Sequence, residues 1–135
     1  MFLAYVPLMV VPLLLYNAFA FAIFGDWEAG FADAALFTVP MVSGASFTLT
    51  VSATIILMAL VLLFFEILKS TRIGSANIVD HAFATLILLV YVLEFFLVAR
   101  CATSTFLVLT AIALIDLLSG FAVSLRSATR DVSVG

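Results

Sequence analysis

Four long apolar runs, separated by short polar breaks, fill almost all of this 135-residue chain. They cover about residues 3–24, 45–68, 78–99 and 105–125. Crossing the hydrocarbon core of a bilayer takes roughly 20 apolar residues in a helix. Lipid cannot satisfy backbone polar groups, so only helices or closed barrels cross it. Uninterrupted apolar runs are not the alternating segments of a barrel strand. The expected fold is therefore all-α: a polytopic membrane protein in which residues 1–125 form an antiparallel bundle of four transmembrane helices. Residues 126–135 are expected to be a short, mobile cytoplasmic tail. Charged residues make up only 10% of the chain, too few to cover a water-soluble surface, and mean hydropathy is +1.40. The net charge of −3 is spread thinly, with no basic stripe, so nucleic acid is not an expected partner.

The first run ends near Ala20-Phe21-Ala22, which has the form of a signal-peptide cleavage site. No Lys or Arg precedes it, so a retained helix is expected rather than a cleaved leader. Pro7 suits a first helical turn, whereas Pro12 should kink the helix by removing a backbone donor. Lys69 and Arg72 follow the second run, and Arg126 and Arg130 follow the fourth. Only Arg100 lies on the opposite side. The excess of basic residues implies that both termini are cytoplasmic. The 25–44 loop then faces outward with Asp26, Glu28 and Asp33, and Trp27 suits an interfacial belt. Residues 31–37 read as a short interfacial helix. Ser43 or Ser46, Asn77, and Ser104 or Thr105 are the expected caps of the second, third and fourth helices.

Asp116 falls near the middle of the fourth run, where insertion of Asp costs about 2.5 to 3.5 kcal/mol. It should face the bundle interior, either as a proton or ion site or as a hydrogen-bonded packing carboxyl. Ala113, Gly120 and Ser124 share its helix face and would let a neighbour approach closely. Glu94 lies about six residues nearer the outer end, roughly 9 Å along a helix, so a carboxylate dyad with Asp116 is not expected. Matching depths from the run boundaries makes Thr54 or Tyr91 the expected hydrogen-bond partner of Asp116. Ser46, Thr50 and Thr54 follow helical spacing in the second run. Such hydroxyls form a helix-packing face more readily than a conduit, at about 0.6 to 2 kcal/mol per interhelical bond.

The other polar residues carry less. Glu94 reads as an interfacial acid near Arg100. Glu66 and Lys69 form a local surface pair of small value. His81 has no second His for bis-His ligation or a zinc site, and reads as an interfacial side chain. Cys101 is the single cysteine, so no internal disulfide forms, and a small residue in a tight turn is the expectation. No metal or cofactor is implied. The chain has no nucleophile–base constellation, phosphate loop, HExxH or GxSxG, and an enzyme is not expected.

The stretches Glu66-Ile-Leu-Lys-Ser-Thr-Arg72, Ile78-Val-Asp-His-Ala82, Thr103-Ser-Thr-Phe106 and Ala113-Leu-Ile-Asp-Leu-Leu-Ser-Gly-Phe121 carry a resemblance. They resemble an uncharacterised family of small bacterial four-helix integral membrane proteins. The resemblance covers helices two to four and implies topology, but no activity. Small multidrug transporters are similar in size, yet their intramembrane Glu lies in the first helix, where this chain has only Asn17. The polar signature of fluoride channels is not found either.

Packing features outnumber chemical ones. The leading expectation is a non-enzymatic accessory or scaffold subunit, partnered by lipid and by other membrane subunits or copies of itself. The alternative is a small proton- or ion-coupled transporter or channel built on Asp116, with Glu94, Thr54 and Tyr91 as accessory groups.

Overall fold

The computed structural model describes residues 6–21, 33–71 and 76–134, except for the side chains of 76–77 and 127–134. It is mostly helical. Helix α1 spans Val10–Ala20, α2 Val51–Ser70, α3 Ala76–Leu97 and α4 Ser104–Val134, with a 3₁₀ turn at Ala99–Cys101. A two-stranded antiparallel hairpin, β1 Ala35–Pro40 and β2 Ser46–Thr50, precedes α2. Three helical stretches are long and apolar enough to cross a membrane: Val51–Ser70, Ile78–Leu97 and Ser104–Arg126. Helix α1 is an apolar helix of 11 residues, about 16 Å at 1.5 Å per residue, or half a bilayer core.

The two prolines explain the late start of α1. Within one helix, Leu8 O would bond to residue 12, but Pro12 has no N–H and its ring crowds that carbonyl. Leu8 O accepts instead from Val11 N at 3.0 Å, and Pro7 O accepts from Val10 N at 3.2 Å. Residues 6–9 are therefore bends and turns, not the expected helix. Pro12 does not kink a span. It is the third residue of α1, where its missing donor is not needed. The outer part of the first run lies outside the described residues.

The expected second helix loses its first six residues to the hairpin. Phe37, Val39, Phe47 and Leu49 alternate with polar or small residues, and β-branched and aromatic side chains suit a pleated strand. The pairing is Phe37↔Leu49, Thr38↔Thr48 and Val39↔Phe47, so the apolar residues share one face. The Thr38 and Thr48 hydroxyls bond at 2.9 Å on the other. Gly44 closes the turn at φ +89°, with Gly44 N donating to Met41 O at 3.0 Å and Met41 N to Ala45 O at 2.8 Å. This is a three-residue hairpin loop that ends on a left-handed residue. Residues 35–37 of the expected interfacial helix are thus strand.

The caps follow from these boundaries. Thr50, not Ser43 or Ser46, caps α2, its Oγ1 accepting from Ala53 N at 3.2 Å. Thr103 caps α4 by accepting from Phe106 N at 3.2 Å. Asn77 lies inside α3, and its side chain is outside the described set. Helix α4 continues to Val134, so the expected mobile tail is helical in backbone.

Helix α4 is the central element and packs against α1, α2 and α3. Tyr16, Tyr91 and Phe106 are fully buried and form an aromatic knot towards the α3–α4 turn, with Phe106 centred 5.0 Å from Tyr16 and 5.4 Å from Tyr91. Hydrogen bonds set the register of α1. Tyr91 Oη donates to Met9 O at 2.8 Å, and Arg100 Nη1 donates to Ala20 O at 2.7 Å. Tyr16 Oη is 2.6 Å from Thr103 Oγ1. These ties join α1 to α3 and to the α3–α4 turn by side chains, while the α1 backbone packs chiefly against α2.

Candidate functional site

Among the described residues, the interior at the opposite end from the hairpin holds four ionisable side chains. Glu66 and Lys69 come from the last turns of α2, Asp80 from the first turns of α3, and Asp116 from the middle of α4. Glu66, Asp80 and Asp116 are buried, at 3%, 5% and 7% exposure. The Lys69 side chain is 14% exposed. Its ammonium lies 3.0 Å from Glu66 Oε1 and 3.2 Å from Asp80 Oδ1, and donates to Val6 O at 2.8 Å. The Asp80 contact is close in distance but off-line in angle, because buried Asp80 Oδ1 has no hydrogen-bond partner. Asp116 shares this electrostatic neighbourhood, its charged neighbours being Glu66, Asp80 and Lys69.

Residues 6–9 explain why Glu66 and Lys69 turn inward. Non-helical backbone next to membrane helices needs protein partners for its polar groups. Glu66 Oε1 accepts from Leu8 N, and Lys69 binds Val6 O at 2.8 Å. Glu66 thereby sits at the start of α1, where the helix dipole favours an anion. The pair expected at the surface is thus enclosed beneath the broken N-terminal segment. A sequence reading misses this, because an i,i+3 pair at the end of an apolar run looks the same whether or not a strap covers it.

The expected partners of Asp116 are engaged elsewhere. Thr54 Oγ1 donates to Thr50 O at 2.9 Å, and Tyr91 donates to Met9 O. Both assignments came from depth, and the strand shifts α2 by six residues, or about 9 Å. Counting from the helix starts, Asp116 is level with Leu63, not Thr54. The hydroxyl face of the second helix also dissolves: Ser46 is an exposed strand residue, Thr50 is the cap, and Thr54 bonds within its own helix.

Small residues of α4 are turned inside the chain. Ala113 and Gly120 are buried. A Cβ on Gly120 would lie 2.6 Å from His81 Cε1, so the absent side chain is what seats the imidazole. His81 Nε2 is 2.8 Å from Ser124 Oγ, and its ring lies 5.1 Å from Phe121. His81 is therefore a packing residue between α3 and α4.

Glu94 belongs to a second polar group, near the α3–α4 turn. It accepts from Asn17 Nδ2 at 2.8 Å and from Cys101 Sγ at 3.6 Å, while Arg100 reaches Ala20 O instead. Cys101 is fully buried. Burial, with the nearby Glu94 charge and the bond to it, pushes the Cys101 thiol up to about 12.

Among the described residues, no three His, Cys, Asp or Glu side chains converge so as to hold a metal ion. Glu66 and Asp80 flank the Lys69 ammonium rather than a shared vacant point. Such an arrangement can store and exchange protons. Comparison with protein families, with curated proteins and with solved structures finds no match to this chain.

Proposed function

We propose that this protein is a small proton-coupled transporter or channel of a bacterial inner membrane. In this reading the chain crosses the bilayer four times, with both termini cytoplasmic, and α1 with residues 6–9 makes the first crossing. One observation carries the proposal: three carboxyls and a single lysine are enclosed together between α2, α3 and α4. Fully ionised, these four groups would hold two uncompensated negative charges. A low-dielectric interior does not tolerate that, so the group needs protons or cations. Ionisable side chains at membrane depth mark ion or proton pathways more often than they add stability. Asp116 is the deepest of them and the exchange site in this proposal. Asp80 and Glu66 lie towards the cytoplasm, and Glu94 with Asn17 stands on the outer approach.

The test is proton flux into liposomes under an imposed potential. The wild-type protein should carry flux, and Asp116→Asn should reduce it by at least about tenfold, the usual contribution of a positioned proton-transfer group being larger still. An inactive wild type, or an Asp116→Asn variant with full flux, removes the reading.

A second reading, an accessory subunit in a larger complex or homo-oligomer, draws on the hairpin. Phe37, Val39 and Phe47 are exposed on one face at the outer end. Native mass spectrometry after gentle extraction separates the two. A stable assembly with other subunits favours the accessory role, whereas a lone monomer or dimer leaves transport.

A further inference from the structure

The β1–β2 hairpin exposes an apolar sheet face at the end of the bundle where α2 begins. We propose that this face is a lipid-docking surface: the hairpin lies flat on the leaflet that α2 enters, with Phe37, Val39, Phe47 and Leu49 against the acyl chains. The inference stands apart from proton transport. It gives to lipid the face that the accessory reading gives to a protein.

Charge and patterning carry the first part of the argument. No Asp, Glu, Lys or Arg occurs between Asp33 and Glu66. The hairpin is therefore uncharged throughout, and it meets a lipid boundary without the penalty that a charge would bring. Its two faces differ in kind. The pairs Phe37↔Leu49 and Val39↔Phe47 put four apolar side chains on one face. The pairs Thr38↔Thr48 and Pro40↔Ser46 put three hydroxyls on the other, where Thr38 and Thr48 bond to each other at 2.9 Å. Met41 and Val42 add exposed apolar side chains at the turn. An element with one apolar and one polar face settles in the plane of a membrane interface, as amphipathic helices do.

The length of α2 fixes the depth. Its 20 residues span about 30 Å, the whole hydrocarbon core. Thr50 ends β2 and caps α2, so the ribbon begins where the hydrocarbon stops. It is tied there at its base, Val51 N donating to Ala34 O at 3.0 Å. A strand of six residues is about 20 Å long. Standing upright, it would carry Met41 and Val42 through the headgroups into water. Lying flat, it continues the exposed apolar surface of Leu57, Leu60, Val61 and Phe64 on α2. The open edges of a two-stranded sheet carry unpaired backbone groups. Hydrocarbon cannot satisfy them, whereas water and headgroups can, so the ribbon rests at the interface and goes no deeper. A lone two-stranded hairpin is marginal in water. Burial of its one apolar face in lipid supplies the support that further strands would give.

The experiment uses full-length protein in phosphatidylcholine nanodiscs. Cys101→Ser removes the native thiol, with Cys101→Ala in its place if that variant does not fold. A fluorophore is attached through Val39→Cys on the apolar face or Thr48→Cys on the hydroxyl face. Iodide quenches it from water, and phosphatidylcholine brominated high on its acyl chains quenches it from lipid. Iodide quenching should be several-fold weaker at position 39 than at position 48, and bromolipid quenching several-fold stronger. The contrast should persist when phosphatidylglycerol replaces part of the lipid, because the hairpin carries no charge for a headgroup to attract. A contrast confined to these anionic discs overturns the proposal, since headgroup charge would then hold the hairpin. Equal iodide quenching at both positions also overturns it, by standing the hairpin in water. So does a position 39 shielded from both quenchers, which means that protein covers the face. Native mass spectrometry of the same sample then tells whether that cover is a second copy.

Discussion

Gly120 shows how one missing side chain sets a contact. His81 occupies the space its Cβ would take, at 2.6 Å from Cε1 and 2.9 Å from Nδ1, and is held there by Ser124. Gly120→Ala should push the ring off its hydroxyl and destabilise the protein by about 1–3 kcal/mol, as overpacking does. His81→Ala in the same molecule should recover part of the loss, a coupling that a double-mutant cycle in thermal unfolding reads directly. Cys101 gives a prediction in pH. Its folded thiol is pushed up to about 12, whereas an unfolded thiol titrates near about 8.5. Between those values the folded state keeps a proton that the unfolded state has lost. The stability from this group is complete below the unfolded value and falls as pH rises towards the folded one. Wild-type protein should therefore lose more thermal stability than Cys101→Ser on going from neutral to alkaline pH. An equal loss in both proteins would show that the buried thiol does not contribute.

Among the elements, the hairpin and α1 depart furthest from expectation. Both departures have local causes. The apolar run that begins near residue 45 opens with a five-residue strand, which its hydropathy alone does not separate from the first turns of a helix. Alternation at 37–39 and 47–49 was present, and Gly44 marked the turn. Continuity of hydropathy outweighed that short-period pattern. Gly44 adopts φ +89° with nothing within 4 Å of a Cβ, so Gly44→Ala meets backbone strain but no steric clash. It should destabilise the hairpin by about 1–2 kcal/mol. Amide exchange measured across 35–50 should rise while that of α4 stays unchanged. Pro12 was legible as a helix breaker, but its effect is to end the helix on its N-terminal side, not to bend a continuous span. Helix α4 was legible over 105–125, because its small and polar residues recur at helical spacing there, but its continuation through Val134 was not.

At the scale of the whole molecule, the decisive event is that α2, α3 and a non-helical segment close around Lys69. Lys69→Met would leave the buried Glu66 and Asp80 carboxyls without their cation. It should destabilise the fold by about 3–5 kcal/mol, the usual cost of breaking a buried ion pair from one side. Adding Glu66→Gln and Asp80→Asn should restore much of that stability. If the triple variant is as unstable as Lys69→Met, charge balance is not what holds this end of the bundle together.

Composition and run length were enough to establish a helical membrane protein, the place of α3 and α4, and an interior position for Asp116. These depend on local quantities: hydropathy summed over a window, helical period, and the high cost of a carboxylate in lipid. The company that Asp116 keeps was decided only in three dimensions. Whether Glu66 and Lys69 face water or each other depends on a strap that arrives 58 and 63 positions away in sequence. The depth of every residue in α2 depends on where a strand stops. Burial of a charge is a property of what lies opposite it, and a one-dimensional pattern carries no record of that.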